Sequence, residues 1–133
     1  MLTREMTITH PLAKERVSEP LIACIDNCFA CAQSCTACAD ACLAESDLDA
    51  LKQCIRLNLD CADICVATGT IASRQTGSNG PVVRQMLEIC AEICWLCGEE
   101  CRIHAGAHDH CGICADECRS CEEACRNAMI EIG

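Results

Sequence analysis

Residues 24–42 read CIDNCFACAQSCTACADAC, with thiols at Cys24, Cys28, Cys31, Cys35, Cys38 and Cys42. The steps alternate between four and three residues, the period of a single stripe along an α-helix. All six sulfurs then share one helix face, over roughly 27 Å at a rise of about 1.5 Å per residue. The stripe recurs at Cys54, Cys61 and Cys65, where Asn58 takes the vacant position between the first two and Thr68 continues the series. It recurs again at Cys90, Cys94, Cys97 and Cys101, running on to His104, and again at Cys111, Cys114, Cys118, Cys121 and Cys125. Every one of the 18 cysteines belongs to one of these four stripes.

Punctuation between the stripes defines the elements. Ser18 is a suitable N-cap, and Pro20 is tolerated in a first turn. Ser46-Asp47 resembles a second cap. Thr76-Gly77-Ser78-Asn79-Gly80-Pro81 is a loop ending at a helix start. Gly106 is placed to close the third helix, and Asp109 to cap the fourth. Helices are expected over 19–44, 47–75, 80–105 and 110–131, with a short extra helix over 11–17. Short connections between helices of similar length predict an all-α, up-down-up-down four-helix bundle with a Cys-lined core. Residues 1–18 form an N-terminal extension and 19–133 the bundle. Supporting core positions are Ile22, Ile25 and Phe29; Leu51, Ile55, Leu59 and Ile64; Met86, Ile89, Ile93 and Leu96; Ile113 and Ala124.

Composition narrows the function. A net charge of −10 and the lack of a basic run argue against a nucleic-acid partner. The first 20 residues carry charges at Arg4, Glu5, Lys14, Glu15 and Arg16 and no apolar signal core, and no stretch approaches about 18 uninterrupted apolar residues. The expected compartment is the reducing cytosol, without a membrane span, where thiols serve metals or redox chemistry. No phosphate loop or nucleophile–base pairing stands out, so a binding protein is expected, not an enzyme.

Cysteine is smaller than leucine, so a bundle cored with it packs poorly unless something fills it. Disulfides between neighbours on one helix are poorly oriented, because both Cβ vectors tilt the same way. Zinc favours closed sets of four ligands. The pairs Cys28/Cys31, Cys35/Cys38, Cys94/Cys97, Cys111/Cys114 and Cys118/Cys121 instead continue into longer rails. Iron–sulfur clusters also need isolated sets of four. Cu(I) is soft, prefers thiolate and accepts two or three shared sulfurs. Deprotonating every thiol takes the chain from −10 to about −28, and about one Cu(I) per thiolate restores −10. Zinc at four thiolates per ion leaves each buried site near −2. A metallothionein-like zinc or cadmium buffer and a thiol redox or electron-transfer protein remain as alternatives.

These stripes of CxxxC and CxxC steps, pointing into one bundle over residues 19–131, resemble the bacterial copper storage proteins, and the leaderless N-terminus is similar to their cytosolic branch. The resemblance implies that all 18 Cys are Cu(I) ligands, that many ions are packed in each bundle, and that the chain assembles as a homotetramer. With three Cys on the second helix, Asn58 is a candidate oxygen ligand. At the chain end shared by the first–second and third–fourth connections, Cys42, Cys54, Cys101 and Cys111 converge, and His104, His108 and His110 lie close by in sequence. These histidines are expected to complete the outermost copper sites and to mark the point of entry. The other end runs out into Leu21, Ala72, Val83, Leu87, Met129 and Ile132, an apolar plug.

Overall fold

A computed structural model describes residues 1–13 and 17–132. Its helices are α1 (Thr3–Ile8), α2 (Glu19–Leu43), α3 (Lys52–Ala72), α4 (Gly80–His104) and α5 (Asp109–Ile132), with a 3-10 turn over Leu48–Leu51 ahead of α3. The described residues contain no strand. Around the bundle, α2 packs on α3 and α5, and α4 packs on α3 and α5. Consecutive long helices are therefore neighbours, as an up-down-up-down bundle requires.

Local chemistry explains most of the boundaries. Ser18 Oγ accepts the Leu21 N–H at 3.2 Å, capping α2 with Pro20 in its first turn. Pro81 lies in the first turn of α4, behind a loop whose Gly77 has φ 75°, a left-handed conformation that favours glycine. Three expectations need correction. Asp47 caps nothing through its side chain; its carboxylate is drawn to His108 instead, and the segment after it forms the 3-10 turn, so that α3 begins at Lys52. Gly106 does not end α4 in a left-handed turn: the helix stops at His104 and Ala105 stays in the right-handed region. The short N-terminal helix lies over Thr3–Ile8, tied to α2 by the Arg4–Glu19 ion pair. Residues 11 and 12 form a turn, and part of the expected 11–17 helix lies outside the described residues.

The thiol stripes form the interior. All 18 cysteines are buried, none more than 2 % exposed. Ile22, Ile25, Leu51, Ile93 and Ala124 flank them as expected, but Leu59, Ile89, Leu96 and Ile113 face outward. The cysteines occupy the centre of each inward face, which turns these apolar positions toward solvent. Close helix approach is allowed at Gly98 of α4, where an added Cβ would lie 3.2 Å from the Cys118 Cβ of α5. By length and composition α2 alone among the described helices could cross a membrane; its apolar character comes largely from the Cys stripe, which here faces the other helices.

Candidate metal centre

The helical stagger brings sulfurs from different helices into groups of four whose atoms all lie within 4.8 Å of one another. Near the plug end the group is Cys28, Cys90, Cys121 and Cys125, with Cys24 Sγ 3.5 Å from Cys125 Sγ. Next come Cys31, Cys65, Cys94 and Cys121, then Cys31, Cys35, Cys61 and Cys118, then Cys35, Cys97, Cys114 and Cys118. At the far end Cys38, Cys42, Cys54 and Cys111 close the series. The separations Cys31–Cys61 (3.8 Å), Cys35–Cys118 (3.7 Å) and Cys65–Cys90 (3.7 Å) match the edge of about 3.8 Å expected of a tetrahedral thiolate site with bonds near 2.3 Å. Edge length alone therefore fits zinc. Sharing rules out discrete closed zinc sites: Cys31 and Cys121 each belong to two groups, as do Cys35 and Cys118. One sulfur cannot sit in two closed four-thiolate sites without bridging, and bridging sulfurs along a continuous tube are what a low-coordinate soft cation uses.

Asn58 sits within this network and is fully buried. Its Oδ1 accepts from Cys97 Sγ at 3.1 Å and from Cys101 and Cys114 Sγ at 3.4 Å, and its Nδ2 donates to Cys54 Sγ at 3.7 Å. One amide thus joins three helices and satisfies its own buried polar atoms. Thr68 is equally buried, but its hydroxyl donates to the Ile64 carbonyl at 2.7 Å and is spent within its own helix.

Protonation follows from burial and crowding. Burial, then repulsion from Cys54, raises the Cys42 thiol; burial, then repulsion from Cys54 and Cys42, pushes Cys111 up to about 12. Deeper in, S–H groups donated by neighbours hold Cys31, Cys61, Cys90 and Cys114 down. The same hydrogen bonds push Cys35, Cys65, Cys101, Cys118 and Cys121 up. A thiolate in this core is stabilised only by keeping its neighbours protonated. Glu117, half-buried on α5, is pushed up to about 7 by burial and then by Cys31 and Cys114.

The three histidines gather at one end but do different things. His110 Nδ1 lies 3.3 Å from Cys38 Sγ and 3.6 Å from Cys111 Sγ, directly over the last thiol group. His104 Nε2 is 2.9 Å from Glu100 Oε2, with no sulfur contact described. His108 is engaged on both sides, Nδ1 with Glu45 (2.9 Å) and Nε2 with Asp47 (3.0 Å), and the Asp47 bond raises its pKa. His108 and His110 stack with ring centroids 5.5 Å apart. Glu45 and Glu100 do not stand out in the sequence, and Asp47 stands out there only as a helix cap. Glu100 precedes His104 by four residues, one helical turn, and that spacing was a usable signal. The Glu45 and Asp47 contacts bridge separate connections and leave no local pattern. At the opposite end Leu87 and Ala128 are fully buried, and Leu21, Val83, Met129 and Ile132 pack on the core.

Comparisons with known proteins agree with this geometry. The structure is similar to that of the copper storage protein Ccsp from Streptomyces lividans loaded with 10 copper equivalents, at 46% identity and TM-score 0.92, covering 96% of this chain and 98% of that one. A five-copper form of the S. lividans protein, described as a cytosolic copper storage protein, matches at 50% identity and TM-score 0.85 over 86% of this chain and 96% of that one. The Cu(I)-bound copper storage protein BsCsp3 matches at 42% identity and TM-score 0.71, covering 81% of this chain and 96% of that one. The uncharacterized cysteine-rich protein YhjQ of Bacillus subtilis (strain 168) is 41% identical over 105 residues, 79% of this chain and 92% of its own. The family model for copper storage protein matches residues 17–130, which span all four thiol-bearing helices, and the chain belongs to the copper storage protein family.

Proposed function

We propose that this protein stores Cu(I) within its thiol tube, on the order of one ion per cysteine. The observation that carries this reading is the sharing of Cys31, Cys35, Cys118 and Cys121 between overlapping four-sulfur groups. The copper-loaded relatives support the choice of metal. All 18 Cys act as ligands, Asn58 lends its Oδ1 where α3 lacks a thiol, and His110 completes the outermost site through Nδ1. His104 and His108 form the rim around it. The role is capture and release rather than turnover, and it operates in the cytosol, the location given for the Streptomyces relative. Self-association accompanies it: Val82, Ile89, Leu96 and Ile103 recur every seven residues along α4 and are all exposed, a seam suited to another helix.

Anaerobic titration of the reduced protein tests the reading. Uptake of about one Cu(I) per Cys, retained against a competing chelator, is expected. Saturation near four zinc ions with no preference for copper would establish the zinc-buffer alternative, and a reversible two-electron thiol–disulfide couple without metal uptake would establish the redox one.

A further inference from the structure

We infer that Glu45 is a positioning residue for copper exchange: by accepting the His110 Nε2–H, it fixes the imidazole with the bare Nδ1 aimed at Cys38 and Cys111. This rests on the reading that His110 completes the outermost copper site. Glu45 follows the end of α2, its backbone N–H donating to the Cys42 carbonyl at 3.2 Å. Its Oε2 lies 2.9 Å from His110 Nε2 and 2.9 Å from His108 Nδ1, so a single carboxylate oxygen joins the α4–α5 connection to the first turn of α5.

The consequence is a choice of tautomer. A neutral imidazole carries its proton on one nitrogen, and the hydrogen bond of that nitrogen decides which. A carboxylate can only accept, so it holds the proton on Nε2 and leaves the Nδ1 lone pair facing the two sulfurs. Without Glu45 the proton is free to occupy Nδ1, which points a donor at the position a cation must take. Stacking against His108, itself pinned by Glu45 and Asp47, restricts rotation of the His110 ring. A carboxylate behind a metal-binding imidazole also raises its strength as a ligand, and loss of such a partner typically costs 10–100-fold in affinity. Glu45 touches no sulfur among the described contacts, so its effect passes entirely through the two histidines.

The test separates Glu45 from the storage reading by beginning without copper. Long-range 1H–15N correlation spectra of the reduced, copper-free protein in mildly alkaline buffer should show His110 as the Nε2–H tautomer. Glu45→Ala should give a mixture of tautomers, and so should Glu45→Gln, because an amide can donate to Nε2 as readily as it accepts from it. In chelator competition, Glu45→Ala should bind its weakest-held Cu(I) about tenfold less tightly, with Glu45→Gln between it and the wild type and total capacity unchanged. A His110 that stays Nε2–H in Glu45→Ala overturns the proposal, and so does a tautomer change that leaves copper affinity untouched. His110→Ala supplies the independent control: if it too leaves that affinity unchanged, the reading of His110 as a ligand is what fails.

Discussion

The two ends of the bundle are built from different chemistry. At one end Leu87 and Ala128 are sealed inside, with Leu21, Val83, Met129 and Ile132 packed against the core. At the other end the last thiol group lies under His110, and the loops around it carry Glu45, Asp47 and His108 in place of aliphatic side chains. An apolar plug excludes water and offers a cation no ligand along its way. A rim of imidazoles and carboxylates offers a series of weak ligands ahead of strong ones. We propose that the first end serves stability and the second copper exchange.

Four variants sharpen or break that division. Leu87→Ala removes a fully buried side chain from the plug and should cost about 2–5 kcal/mol in apo stability, read by thermal or denaturant unfolding, with copper exchange rates retained. Faster chelator removal in this variant would mean that the plug end also conducts copper. Asn58→Ala deprives Cys97, Cys101 and Cys114 of their shared acceptor and should cost about 1–3 kcal/mol by the same assay. An Asn58→Ala protein as stable as the wild type would show that the thiols repartner among themselves. Combined replacement of His104, His108 and His110 by Ala should change the rates of loading and chelator removal by on the order of tenfold, while capacity drops by only a few ions. Stopped-flow traces that superimpose on wild type would remove the histidine end as the route. Gly98→Ala is expected to have the smallest effect. The gain of about 1 kcal/mol from replacing a helical glycine is opposed by the 3.2 Å approach to Cys118 Cβ, leaving a net change within about 1 kcal/mol. A much larger loss would show that α4 and α5 cannot move apart at all.

The bundle was legible because its signal is redundant. Four stripes of the same period, each bounded by a turn or cap, leave little choice of fold, and Ser18 and Pro81 mark their helix starts as the residue types suggest. The error at Asp47 has a clear cause. An acidic residue before a helix is a cap only while no better partner is at hand, and His108, distant in sequence, is that partner. Similarly, Leu59, Ile89, Leu96 and Ile113 look like core by hydrophobicity alone; they lose the interior because cysteine already fills the centre of each face. The histidines illustrate a finer limit. Their sequence proximity placed all three at one end, but which imidazole faces sulfur depends on ring orientation and on the carboxylates of another loop. Of the three, His110 makes the sulfur contacts and His108 is held between two carboxylates.

The central claim is that a pre-formed tube of thiols, most of them protonated and a few held as thiolates by their neighbours, exchanges protons for copper. Burial raises thiols such as Cys42 and Cys111 above the ordinary value of 9.0, so near neutral pH they carry their protons in the folded protein. Each Cu(I) that binds thiolate must displace a proton. The direct measurement is anaerobic Cu(I) loading in weak buffer, with pH and far-ultraviolet circular dichroism followed together. The account predicts a strongly helical apo spectrum that changes little, and release of about one proton per ion until the thiols are filled. Loading without acidification, or an apo spectrum of random coil that becomes helical only with metal, would contradict it.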